Sequence, residues 1–176
     1  MDDLAKHFIE DEPRTHIGDV LDVEVAVTRG WWIPLLEILL GGQLLGRLFG
    51  KPEHPVRSGL GYSACMVAAT ATHALGHITT ARMVEAPMDT LLVTPIRPYT
   101  LYDDAGETIS EDQHRGRAIG GPVASITAGF AALLLSLVVN NRYLRFFGVS
   151  SAVAGLAALV PAFGNDGEEL FLNKHG

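Results

Sequence analysis

Residues 71–77 read Ala71-Thr72-His73-Ala74-Leu75-Gly76-His77 and lie inside an apolar run from Gly59 to Met83. In a helix, positions i and i+4 stand one above the other on the same face. Two imidazoles so placed can share one metal ion, and zinc suits neutral imidazole nitrogen. The competing reading is a pair of packing or hydrogen-bonding histidines on a buried helix. The run is apolar enough to lie in a membrane, where an ionisable side chain is costly and usually functional. The metal reading is therefore preferred.

The zinc-peptidase pattern with this spacing is His-Glu-x-x-His, whose glutamate is the general base. Both ligand positions are filled here, but the base position is Ala74. The rest of the chain has to be read with that substitution in view.

The 176 residues suit one domain. Hydrophobic residues make up 48% of the chain and the mean hydropathy is +0.23, high for a soluble domain and ordinary for a small membrane protein. A net charge of -7 argues against nucleic acid as a partner. Cys65 is the single cysteine and forms no internal disulfide, so it gives no sign of an oxidising compartment. The stretch from Met1 to Glu12 is acidic and amphipathic and lacks the basic and apolar regions of a cleaved signal peptide. Insertion would rely on the first apolar segment.

Residues 1–30 form a polar segment, in which Val23, Val25 and Val27 alternate with Asp22, Glu24 and Ala26 as in a short strand. Residues 31–176 form the candidate transmembrane core. Trp31 and Trp32 suit a membrane interface. Apolar segments over 31–49, 59–83, 119–139 and 143–163 are each near the roughly 20 residues that cross a hydrocarbon core. The expected fold is mainly α, a polytopic membrane protein of about four transmembrane helices with short β-strands at the membrane edge. Such a chain has the lipid bilayer as partner and both termini on one side. Lys and Arg are spread over both sides and orient it little.

Within the first segment Gly42, Gly46 and Gly50 form a small-residue face for close packing. Glu37 lies about a turn deep there, with no basic residue near it in sequence. Pro87 ends the histidine helix. Residues 20–28 and 89–96 are expected to be extended. Thr90-Leu91-Leu92-Val93-Thr94 is β-prone, and Pro95 confines that strand to a sheet edge. Tyr102 to Arg117 reads as a solvated polar loop.

A catalytic zinc takes three protein ligands and keeps one position open. Asp166, within Asn165-Asp166-Gly167 at the end of the fourth apolar segment, fits the third place. Its carboxylate can reach inward while Gly167 lets the backbone turn. The same residues suit an ordinary turn.

Three stretches together resemble the site-2 protease family of intramembrane zinc metallopeptidases. His73-Ala74-Leu75-Gly76-His77 resembles its zinc motif. Ala118-Ile119-Gly120-Gly121-Pro122-Val123-Ala124-Ser125 resembles its Ala-Gly-Pro-x-Ala-Asn stretch, with Ser125 where asparagine is usual. Leu159-Val160-Pro161 through Asn165-Asp166-Gly167 resembles its Leu-Pro…Leu-Asp-Gly motif. Order and approximate spacing match from about Val20 to Leu170. The resemblance implies a zinc ion held by His73, His77 and Asp166, and peptide hydrolysis within or near the bilayer. It implies a membrane-embedded protein substrate extended along Leu91, Leu92 and Val93, with Gly121, Pro122, Ser125 and Asn165 also at the substrate. The expected location is the plasma membrane of a prokaryote, as a multi-pass integral membrane protein.

Two departures qualify that expectation. Ser125 replaces a polar residue expected to touch substrate. Ala74 removes the base, and general acid–base catalysis typically contributes about 10²–10⁴-fold. Three accounts of Ala74 are open: a Glu-to-Ala variant made to trap an inactive enzyme, a natural pseudoprotease, or a base supplied from elsewhere. Glu37 is the nearest intramembrane candidate for such a surrogate. The alternative to an enzyme scaffold is a non-catalytic metal-binding or accessory subunit of a membrane complex. A haem holder is disfavoured, since no Cys-x-x-Cys-His attachment pattern is present.

Overall fold

The protein is described by a computed structural model over residues 7–51, 53–102, 109–161 and 165–171. The start of the acidic N-terminal stretch, Phe163 at the end of the fourth apolar segment and the polar tail beyond Phe171 lie outside the described residues.

A π-helical turn, His7–Asp11, precedes a hairpin of β1 (Thr15–Val20) and β2 (Val23–Val27). Leu21 and Asp22 join the strands with φ of 49° and 54°. Two left-handed residues make the tight turn that matches strand twist. The strand expected over residues 20–28 therefore begins at Val23, and residues 21 and 22 are turn. Two antiparallel helices follow, α1 (Trp32–Phe49) and α2 (Pro55–Met83). Glu85, left-handed at φ 57°, ends α2. The Ala86 N–H donates to the Ala81 carbonyl and the Glu85 N–H to the Arg82 carbonyl, a Schellman cap without its usual glycine.

The chain then returns to the sheet as β3 (Thr90–Val93) and β4 (Pro98–Leu101). The strand order is β1-β2-β3-β4, with β2 and β3 parallel and the outer pairs antiparallel. Leu91 pairs with Val25 on one side and Thr100 on the other, so β3 is interior. This corrects the placement of Leu91, Leu92 and Val93 on a sheet edge. Pro95 lies past the strand, in a turn where the Thr94 hydroxyl accepts from the Ile96 and Arg97 N–H groups. The proline inside a strand is Pro98, and it opens the outermost strand, β4.

The last elements are α3 (Glu111–Val139), α4 (Arg142–Ala158) and the short α5 (Asp166–Phe171). The expected start near residue 119 is corrected to Glu111. Ser110 and Gln113 form a capping box, with Glu111 and Asp112 in the first turn. Pro122 sits inside the helix rather than at its opening. Asn140 closes α3 in the left-handed region and the Asn141 side chain caps α4, so two residues suffice to reverse the chain.

Packing is by small residues. α1 buries Gly42 and Gly46, α4 buries Gly148, Ser151, Ala152 and Gly155, and α3 buries a run of Gly, Ala and Ser. The large side chains point outward: Leu40 is 62% exposed, Leu134 66% and Leu137 75%. The sheet packs on the end of α2 through Val23, Ile78, Ala81 and Met88. Among the described residues, two helices are long and apolar enough to cross a membrane: α1 with mean hydropathy 1.3 and α3 with 2.1. α2 is as long as α3, but Ser, Thr and Gly dilute it, and α4 has 17 residues.

Candidate metal centre

α2 and α3 cross where Gly76 faces Gly120, which brings α3 against the histidine face of α2. His73 and His77 then point at a common spot with their Nε2 atoms 3.1 Å apart. α5 brings in the third group. Asp166 Oδ2 lies 3.2 Å from His73 Nε2, and Oδ1 lies 3.4 Å from His77 Nε2. Gly167 permits this approach for a different reason from the one expected. A Cβ there would lie 2.3 Å from the Leu159 carbonyl oxygen, so the residue is small to pack, not to turn.

The three sequence-predicted ligands thus converge and can hold a metal ion. Tetrahedral zinc with bonds of about 2.0–2.1 Å has ligand–ligand edges of about 3.3 Å. The two Nε2 atoms, 3.1 Å apart, are near such an edge, and with one ligand atom from each residue all three lie within 4.8 Å of one another. A second observation agrees. A Cβ built on Gly121 would lie 2.3 Å from His77 Nε2 and 2.6 Å from His73 Nε2. The missing side chain at 121 leaves open the space in which a bound ion would sit. Two imidazoles and one carboxylate would hold a metal ion with the three-ligand donor set of catalytic zinc sites.

The other ring nitrogens are also held. His77 Nδ1 lies 2.9 Å from the Arg117 carbonyl, and His73 Nδ1 lies 3.0 Å from Ser125 Oγ. Arg117 is buried; its Nε donates to the Ala86 carbonyl and its guanidinium stacks on the Tyr102 ring. It ties the helix behind His77 to the loop before β3 and to the residue after β4. For Asp166, outside the long helices, burial raises the carboxyl pKa. Hydrogen bonds and charge from His73 and His77 outweigh this and bring it down to about 2.

The centre opens on a cavity of about 1310 Å³. Ala74, Asn165, Leu91 and the whole of β4 line it together with the ligands. Five of the expected substrate contacts are corrected. Leu92 is fully buried and faces the core, and Pro122 and Ser125 are likewise sealed inside the helices. Gly121 makes room for the ligand nitrogens. Val93 does not line the cavity among the described residues. Glu37 is corrected too: it is exposed on α1 and forms no part of the cavity lining, because it lies off the Gly42–Gly46 face that packs on α2. Sequence reasoning missed Arg117, which the Ser110-x-x-Gln113 capping signal would have placed on the helix one turn before Gly121.

Among solved structures, the fold is similar to that of a site-2 protease from Methanocaldococcus jannaschii, with a TM-score of 0.67. The match covers 93% of this chain and 74% of that one, at 19% sequence identity. No family model and no curated protein matches the sequence. At that identity the likeness establishes the shared fold, and the chain has a site-2-protease architecture built around a His-His-Asp group that can hold a metal ion.

Proposed function

We propose that this chain is an intramembrane zinc metallopeptidase scaffold whose four long helices, α1 to α4, span the bilayer. The observation that carries the reading is the convergence of His73, His77 and Asp166 within 3.1–3.4 Å over the bare Cα of Gly121. Zinc, when bound, acts as a Lewis acid toward a scissile carbonyl and activates water. The protein's part is to present two Nε2 lone pairs and one carboxylate, and to exclude lipid from the site. Extended peptide would lie in the cavity along β4, whose outer edge has no strand partner among the described residues. An extended chain exposes an amide that a substrate helix would hide.

Ala74 lines the cavity beside both histidines, and its methyl group can take no proton from a water there. The chain as it stands is therefore expected to hold peptide and cut it little. Ala74 also favours a second reading, a pseudoprotease that retains membrane partners without hydrolysis. Ala74→Glu separates the two. The first reading expects zinc-dependent cleavage of a membrane-embedded substrate to rise by about 10²–10⁴-fold. Zinc binding with no gain in cleavage favours the second, and absence of zinc binding sinks both.

A further inference from the structure

We propose that Ser125 is a positioning residue for the metal centre: its hydroxyl holds His73 in the tautomer whose Nε2 lone pair faces the ion. The inference rests on the metal reading above. An imidazole that offers Nε2 to a metal must carry its proton on Nδ1, and the partner at Nδ1 fixes both tautomer and ring orientation. At His73 that partner is Ser125 Oγ, 3.0 Å away.

Ser125 has no access to solvent or substrate. It is 0% exposed, and α4 closes over it so tightly that a Cβ on Gly155 would lie 3.0 Å from the Ser125 Cβ. A buried hydroxyl needs a hydrogen-bond partner, and this one meets a ligand histidine. Gly121 and Ser125 stand four apart on α3, on one face. That face works on His73 from two sides: position 121 leaves room at Nε2, and position 125 meets Nδ1.

The two histidines differ in how they are held. The Arg117 carbonyl can only accept, so His77 is fixed as Nδ1–H by the backbone. A serine hydroxyl can take either role, and as the acceptor from Nδ1–H it is the one side chain on which that tautomer of His73 depends. Ser125→Ala removes that control from His73 alone. Loss of such a partner typically weakens metal affinity about 10–100-fold.

The test uses the full chain in detergent, with zinc affinity read by competition against a chromophoric chelator. Ser125→Ala is expected to bind zinc about 10–100-fold more weakly. Long-range ¹H–¹⁵N spectra of the metal-free protein should show its His73 ring changing tautomer ratio while His77 does not. A general packing defect would move neither ring selectively. Equal zinc affinity with an unchanged His73 tautomer overturns the proposal and leaves the metal centre standing. Should Ser125→Ala fail to fold, Ser125→Cys keeps the volume with a weaker acceptor, and wild-type affinity and tautomer in that variant overturn the proposal. If the wild-type chain binds zinc no better than His73→Ala, the metal centre itself fails, and the proposal with it.

Discussion

One methyl group at position 121 is expected to decide whether the centre can accept a metal. Gly121→Ala would place that methyl 2.3 Å from His77 Nε2, closer than any carbon can come. Either the imidazoles rotate away or α2 and α3 part, an overpacking that costs about 1–3 kcal/mol. The expected outcome is a folded protein with a lowered melting temperature and at least about 100-fold weaker zinc binding, more than loss of an outer partner alone causes. Wild-type zinc affinity in this variant would show that the ion sits elsewhere. At this scale the grouping of His73, His77 and Asp166 was legible in the sequence, because the four-residue spacing of His73 and His77 and the shared order of three motifs each restrict the geometry. The roles of Gly121 and Ser125 were not. A motif places a residue near a site without saying whether it faces substrate, ligand or a neighbouring helix.

Helices were easier to read than strands. Long apolar runs fixed the existence of α1 to α4, but polar ends hid their limits. The stretch before Gly120 reads as a loop by hydropathy, yet Ser110 and Gln113 satisfy the first free N–H groups and α3 starts there. The order of strands was not legible at all, since pairing partners far apart in the chain leave no local signal. Pro95 suggested an edge at β3, whereas the sheet places β4 outermost. This difference is measurable. In a Cys65→Ala background, a cysteine introduced by Thr100→Cys lines the cavity, and one introduced by Leu92→Cys faces the core. A thiol-reactive apolar peptide is expected to label the first at a rate at least about tenfold above the second, as its strand adds to β4. Equal labelling would remove β4 as the docking strand.

The molecule as a whole is arranged with small residues inside and large apolar ones outside. Water would drive that distribution the other way, since hydrocarbon side chains gain about 25 cal/mol per Å² by leaving it. Lipid supplies no such drive, so helices associate through Gly, Ala and Ser faces that permit close contact. Leu40 discriminates between the two solvents. It lies midway along α1 and is 62% exposed. On a water-facing helix, Leu40→Arg would change stability by no more than about 0.5 kcal/mol. At the centre of a bilayer-spanning helix, the arginine costs about 2.5–3.5 kcal/mol of insertion free energy. Translation into microsomes with a glycosylation tag on either side of α1 reads that cost directly as a fall in the inserted fraction. Leu40→Ala, which also removes the large side chain, should insert far better than Leu40→Arg. Equal insertion of the arginine variant and the wild type would mean that α1 does not span the membrane, and the four-span reading would fall with it.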